Sequence, residues 1–153
     1  MIGTLTNDQI SHVLYGQNIG RIACQNNGKI YIVPISYAFD KGFIYGHSKL
    51  GMKIKMMRKV PNVCFQVDSI DNMTNWRSVI IWGEYEELTD EVDYRYGIKL
   101  LEDKLTPFVP STAIRSLPEK EHSQPEIVQK STRPIVFRIR ILEQTGRYEK
   151  YVH

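Results

Sequence analysis

The sequence predicts a mainly β, α+β domain: about six antiparallel strands bent into a small barrel or strongly curved sheet, with peripheral helices. Three observations predict it. Short apolar runs are separated by tight-turn residues, Asn26-Asn27-Gly28 and Asp40-Lys41-Gly42. Val63, Phe65 and Val67 alternate with Cys64, Gln66 and Asp68, the period of a half-buried strand. Gly83 interrupts a long apolar strand, where barrels place bulges and bends.

The elements follow in order. Thr6 caps a helix over 7–16, with Ile10, Val13 and Leu14 on one face. Strands over 19–25 and 29–36 flank a hairpin turn whose Asn-Gly step supplies positive φ. Residues 37–39 and 43–47 repeat the plan around Asp40-Lys41-Gly42. A helix is expected over 48–59, capped by Ser48 and ended by Val60-Pro61, because proline disfavours helix in its predecessor. Strands at 62–68 and 76–88 come next, then a helix over 91–103 capped by Thr89 or Asp90. Residues 105–134 hold five of the seven prolines, so they read as a crossing segment or arm, with room for a short helix near 111–117. A last strand, 135–142, turns Ile135, Phe137, Ile139 and Ile141 inward and Arg138 and Arg140 outward.

The 153 residues are one domain's worth, read as a single domain over 1–153. Twenty Lys and Arg against seventeen Asp and Glu leave +3, too mild to imply nucleic acid. Only Tyr31 and Tyr37 offer aromatic stacking among basic residues, so no nucleic-acid partner is expected. No apolar run reaches membrane-spanning length, and MIGTLTNDQI lacks the basic and apolar regions of a signal peptide; a cytoplasmic protein is expected. Cys24 and Cys64 lack metal or redox spacing and read as buried reduced thiols. No histidine pair has ligand spacing, so no metal is expected.

The strongest chemical signal is Gly46-His47-Ser48-Lys49-Leu50-Gly51-Met52-Lys53. It joins a strand end to a helix start, where unpaired N–H groups and the helix dipole attract anions. Ser48 offers a hydroxyl, Gly51 allows close backbone approach and Lys53 adds a full charge. From Lys49 to Lys59 there are five cations and no acid. A phosphate fits this stretch better than a merely solvated basic face. His47 is a weak candidate for general acid, haem ligand or polar strand end. Asn75-Trp76-Arg77-Ser78 could stack on a planar ligand or anchor a strand end. The strand over 30–35 is apolar on both faces, so a helix, a ligand or a second subunit must cover its second face. Pro34 removes a ladder donor there, and Ser36 could donate to a ligand.

Taken together, Gly20-Arg21-Ile22-Ala23, Val33-Pro34-Ile35-Ser36-Tyr37, Ile44-Tyr45-Gly46-His47-Ser48 with Gly51-x-Lys53, Pro61-Asn62-Val63-Cys64-Phe65 and Trp76-Arg77-Ser78-Val79 with Gly83 resemble one family. It is that of the pyridoxamine-phosphate-oxidase-like FMN-binding split barrels, in its nitroimidazole-resistance (NimA-like) branch. The resemblance covers about residues 4–90 and implies a six-stranded antiparallel split β-barrel. It further implies a homodimer with FMN at the subunit interface. Ser48 and Lys53 would hold the phosphate, with Gly51 at the helix start and His47 near the phosphate or ribityl end. Val33, Pro34, Ile35 and Ser36 would follow the isoalloxazine edge, and Trp76, Arg77 and Ser78 would complete the site. Haem and F420 are the alternative cofactors. The implied activity is flavin-dependent reduction of a small aromatic or nitro compound through flavin N5. The alternative is a flavin- or haem-binding module without turnover, in which His47 or His153 could ligate haem. The carboxyl terminus, Gly146 to His153, lacks the tryptophan- and arginine-rich motif of true vitamin B6 oxidases, so pyridoxamine phosphate is not the expected substrate. Met52 stands where relatives often carry a cation.

Overall fold

The computed structural model describes residues 1–107 and 133–152. The expected crossing segment therefore lies largely outside the described residues, as do the helix near 111–117, His122 and His153.

Eleven elements follow one another: β1 (Ile2–Thr4), α1 (Asn7–Gly16), β2 (Ile19–Asn26), β3 (Lys29–Ser36), β4 (Ala38–Asp40), β5 (Phe43–Ser48), α2 (Met52–Lys59), β6 (Asn62–Asn72), β7 (Asn75–Glu87), α3 (Glu91–Leu105) and β8 (Ile135–Lys150). All strand pairings are antiparallel, in the order β3-β2-β6-β7-β8-β5-β4, with β1 added to β8. The sheet is open, consistent with a split barrel, and has eight strands among the described residues rather than six. The split comes from β8. One edge pairs with β7 along most of its length, while the other pairs with β5 over residues 135–140 and with β1 over 147–149.

Local chemistry explains the turns. Asn27 and Gly28 have φ of 51° and 77°, and Lys41 and Gly42 have 45° and 85°, so each hairpin places two successive residues in the left-handed region. Asparagine and glycine tolerate that conformation well; Lys41 does so at some cost. At Gly83 the β7–β8 register slips by one, Trp82 facing Glu143 and Gly83 facing Ile141, so Leu142 is the extra residue. A Cβ at Gly83 would lie 2.4 Å from the Arg140 carbonyl oxygen, which only glycine avoids. This bulge also explains why β8 reads as ending at Leu142: apolar alternation stops there, although pairing continues to Lys150. β1, three residues long, is too short to show a period.

The main core lies inside the curved sheet, closed by α1 and α2. Leu14, Ile22, Tyr37, Ile44, Ile54, Met57, Phe65, Val67, Ile81, Phe137 and Ile139 are fully buried there. A smaller cluster seats α3 on the other side of β5 and β8, using Tyr45, Tyr94, Ile98, Leu101 and Val136. Both faces of β8 near 136–139 are thus covered. Arg138 is half-buried rather than turned fully outward, and Ile135 and Ile141 are only half-buried.

Among the described residues nothing covers the second face of β3. Tyr31, Val33 and Ile35 point toward the core, while Ile30 and Ile32 remain 76% and 60% exposed. β3 is an edge strand, which is where Pro34 is tolerated.

Candidate anion and cofactor site at the start of the second helix

Helix α2 begins at Met52, not at Ser48. Ser48 still pairs with Ile135 as the last residue of β5, and Gly51 is the N-cap in extended conformation. The expected capping role of Ser48 is thereby corrected. Its hydroxyl instead donates to the Lys49 carbonyl at 2.7 Å and accepts from Lys53 Nζ at 2.7 Å. No side chain caps α2, and no acid sits in its first turn. Its leading N–H groups therefore have no side-chain acceptor among the described residues, at the positive end of the dipole.

Lys53 is half-buried, and burial lowers its pKa, partly opposed by nearby Cys24. Burial raises the pKa of the Cys24 thiol in turn, with Lys53 pulling the other way. His47 is also half-buried; desolvation first and Lys53 second hold its pKa below the usual imidazole value. Among the described residues Lys53 has no carboxylate within salt-bridge distance. A partly desolvated ammonium whose partner among the described residues is a hydroxyl is suited to a ligand that brings negative charge.

The helix itself is held firmly. Ile54 and Met57 are fully buried, and Met56 Sδ lies 4.0 Å from Cys24 Sγ. At its far end Arg58 makes two bonds to Glu87, at 2.9 and 3.0 Å, and Tyr85 donates to the same carboxylate at 2.7 Å. Hydrogen bonds from Arg58 keep Glu87 below the usual carboxylate range. Tyr37 donates to the Leu14 carbonyl at 2.7 Å and ties the end of β3 to α1.

The structure therefore brings His47, Ser48, Gly51 and Lys53 together. It places Val33 and Ile35 on the inner face of β3, and Pro34 and Ser36 exposed on its outer face. Trp76, Arg77 and Ser78 lie elsewhere. Ser48 pairs with Ile135 and Trp76 with Glu149, so the two groups sit near opposite ends of β8. That is roughly 45 Å of strand contour. Trp76 Nε1 donates to Glu149 at 2.9 Å. Ser78 accepts from Gln66 Nε2 at 3.0 Å, and the same amide donates to Asp68 at 2.9 Å. Asp68 is 3.6 Å from Arg21. Arg77 is exposed.

Sequence reasoning missed Cys24 beneath Lys53; the thiol's even spacing from Ile22 was its only signal. It also placed Cys64 in the core. Cys64 is half-buried on the outer face, since the alternation that buries Val63 and Phe65 turns it outward. There it lines a concavity of about 320 Å³ with Ala23, Ile30, Trp82 and Leu142. No cluster of three or more metal-ligating side chains occurs among the described residues. No helix there is long and apolar enough to cross a membrane.

An open antiparallel barrel with a basic helix start on its rim defines a class, and comparison with known proteins gives the family. The model of the pyridoxamine 5'-phosphate oxidase family matches residues 6–148, and the chain belongs to that family. An FAD-binding protein of Mesorhizobium loti is 30% identical, with a TM-score of 0.77 over 98% of this chain and 99% of that one. A candidate 5-nitroimidazole antibiotic resistance protein of Bacteroides thetaiotaomicron shares the fold, with TM-score 0.70 and 16% identity over 97% of this chain and 89% of that one. An uncharacterised protein of Rhizobium meliloti is 32% identical over 87 residues, 57% of this chain and 58% of the relative. That match thus spans little more than half of the relative's length.

Proposed function

We propose that this chain is a flavin-binding protein, with FMN the minimal ligand, and that two copies form the working unit. One observation carries the reading: Lys53, half-buried and without a carboxylate partner among the described residues, meets Ser48 beside the uncapped start of α2. This donor set of ammonium, hydroxyl and helix N–H groups, with no acid in the first turn, fits a phosphate monoester. Family membership and the FAD-binding name of a 30% identical relative support a flavin as its bearer. Among the described residues no strand pairs with the outer edge of β3 over residues 33–36, where a planar heterocycle could hydrogen-bond, and Pro34 leaves one position without a donor.

The dimer is supported by the outer sheet face. Ile30, Ile32 and the 41% exposed Trp82 form an apolar stripe across β3, β2, β6 and β7. A second copy seated there would bring its own Trp76, Arg77 and Ser78 toward a site that one chain leaves half built. A bound flavin supplies electron transfer at N5. The protein's share is to hold the phosphate, orient the ring and exclude water. The proposed activity is reduction of a small aromatic or nitro compound, a reading supported by the resemblance to the nitroimidazole-resistance branch.

Absorbance and mass analysis of the ligand that copurifies, followed by reconstitution with FMN, tests the reading. Flavin bands or saturable FMN uptake are expected. A Soret band would replace flavin by haem, and a deazaflavin mass would replace it by F420. Colourless protein that ignores FMN would end the proposal. For the dimer, Trp82→Glu should shift sedimentation from two copies to one; an unchanged monomeric wild type would dismiss it.

A further inference from the structure

Helix α2 is anchored in two ways of different character. Along its length Ile54 and Met57 are fully buried and Met56 nearly so. Such apolar contacts hold the helix down without fixing its direction, because burial has no preferred angle. Direction is supplied at the far end. Arg58, in the last turn, meets Glu87, the last residue of β7, in a two-bonded fork. Its Nε donates to Oε1 at 2.9 Å and its Nη2 to Oε2 at 3.0 Å. A planar guanidinium on a planar carboxylate sets orientation as well as distance.

The carboxylate is itself fixed from behind. Tyr85 donates to Glu87 Oε1 at 2.7 Å, and its buried ring lies 5.4 Å from that of Phe137 between centroids. The Tyr85 N–H also donates to the Pro61 carbonyl at 2.8 Å, just beyond the end of α2. A continuous chain of contacts therefore runs from the core through Tyr85 and Glu87 to Arg58. Among the described residues Glu87 has no other cation within salt-bridge distance. An isolated, exposed ion pair contributes little. With the Arg58 side chain 44% exposed and that of Glu87 26%, the value of this pair is geometric.

The opposite end of the helix is where that geometry counts. Lys53 precedes Arg58 by roughly 7.5 Å along the axis, and the uncapped N–H groups stand beside it. No proline or glycine interrupts Met52–Lys59, so the two ends move as one body and a tilt at Arg58 carries Lys53 with it. Hydrogen bonds to an anion weaken steeply with small losses of distance and angle.

We infer that Glu87 is a positioning residue for the phosphate site: through Arg58 it sets the angle at which α2 presents Lys53 and its leading N–H groups to the anion. This inference rests on the flavin reading above and adds to it a residue at the far end of the helix from the phosphate. Charge alone predicts the reverse. Replacing Glu87 by a neutral group removes a negative charge and releases Arg58, so FMN would bind more tightly, by up to about twofold. Loss of positioning weakens binding instead.

Fluorescence titration of flavin-free full-length protein decides between these signs. Glu87→Gln should weaken FMN binding roughly five- to tenfold. Arg58→Lys keeps the charge but not the fork, and should weaken it by about threefold or more. Combining the two substitutions should add little to the larger loss, since both break one clasp. Riboflavin, which lacks the phosphate, should bind wild type and variants alike, whereas a general loosening of the fold would weaken it in step with FMN. Arg58 is exposed, so the lysine variant carries the test even where the Glu87 variant folds poorly. Unchanged or tighter FMN binding in the variants, or parallel losses for FMN and riboflavin, overturns the inference and leaves the flavin reading standing. Wild-type protein that binds no FMN overturns the flavin reading and this inference with it.

Discussion

The helix starts of α1 and α3 are closed, and that of α2 is open. Thr6 accepts from the Gln9 N–H while the Gln9 side chain accepts from the Thr6 N–H, completing a capping box. Asp90 accepts from both Val92 and Asp93, with Glu91 and Asp93 adding charge that complements the dipole. At α2 the cap is Gly51, no side chain bonds the leading N–H groups, and the first turn carries Lys53 rather than an acid. The same backbone that gains stability from its own sequence twice leaves that gain unclaimed once, where an external anion can take it.

The contrast can be broken by charge first. Lys53→Glu should lower FMN affinity by about a hundredfold or more, since an attractive contact becomes repulsive; fluorescence titration measures it, and unchanged affinity would remove Lys53 from the site. Gly51→Asp sharpens the comparison because its two effects oppose. Gly51 is extended and a Cβ there meets nothing closer than 4.0 Å, so aspartate fits and caps α2. Stability should rise by a few tenths of a kcal/mol to about 1 kcal/mol, while FMN affinity falls roughly tenfold. Asp90→Ala is the mirror experiment: a loss of about 1 kcal/mol in denaturant melts with no effect on flavin.

The smallest effect concerns His47. Its folded pKa is depressed, so below the ordinary value of 6.5 the unfolded chain binds a proton that the folded chain resists. Stability from this group is present above that value and is lost as pH falls through the window beneath it. Melting curves between pH 7.5 and about 5 should show His47→Gln losing less stability on acidification than wild type. Parallel curves would take His47 out of the account.

Much of this was legible because local rules dominate where side chains alternate or turns are tight. Thr6, Asn27-Gly28, Asp90 and the Val63–Phe65–Val67 face all follow from neighbours a few residues away. The start of α2 did not, because Ser48 is a good cap by type and loses that role to a long-range pairing with Ile135. Nor did the length of β8, whose outer half loses its apolar alternation after Leu142 yet keeps its hydrogen bonds. In the site, Lys53 and Ser48 were readable from spacing. Cys24 comes from a strand distant in sequence; its even spacing from Ile22 marks it as inward-facing but does not say which side chain it will meet. The open second face of β3 was legible as a face needing a cover, which the described residues do not supply.

The sixteen residues of β8 carry Ser48 near one end and Trp76 near the other. In the proposed dimer, one gene product thus contributes unlike halves to two separate centres. A chain damaged only at Lys53 and a chain damaged only at Arg77 would, in a mixed dimer, gather both lesions into one centre and leave the other intact. Two inactive alleles could then complement each other in the same cell, up to half of wild-type activity per mixed dimer. Either allele alone would be silent.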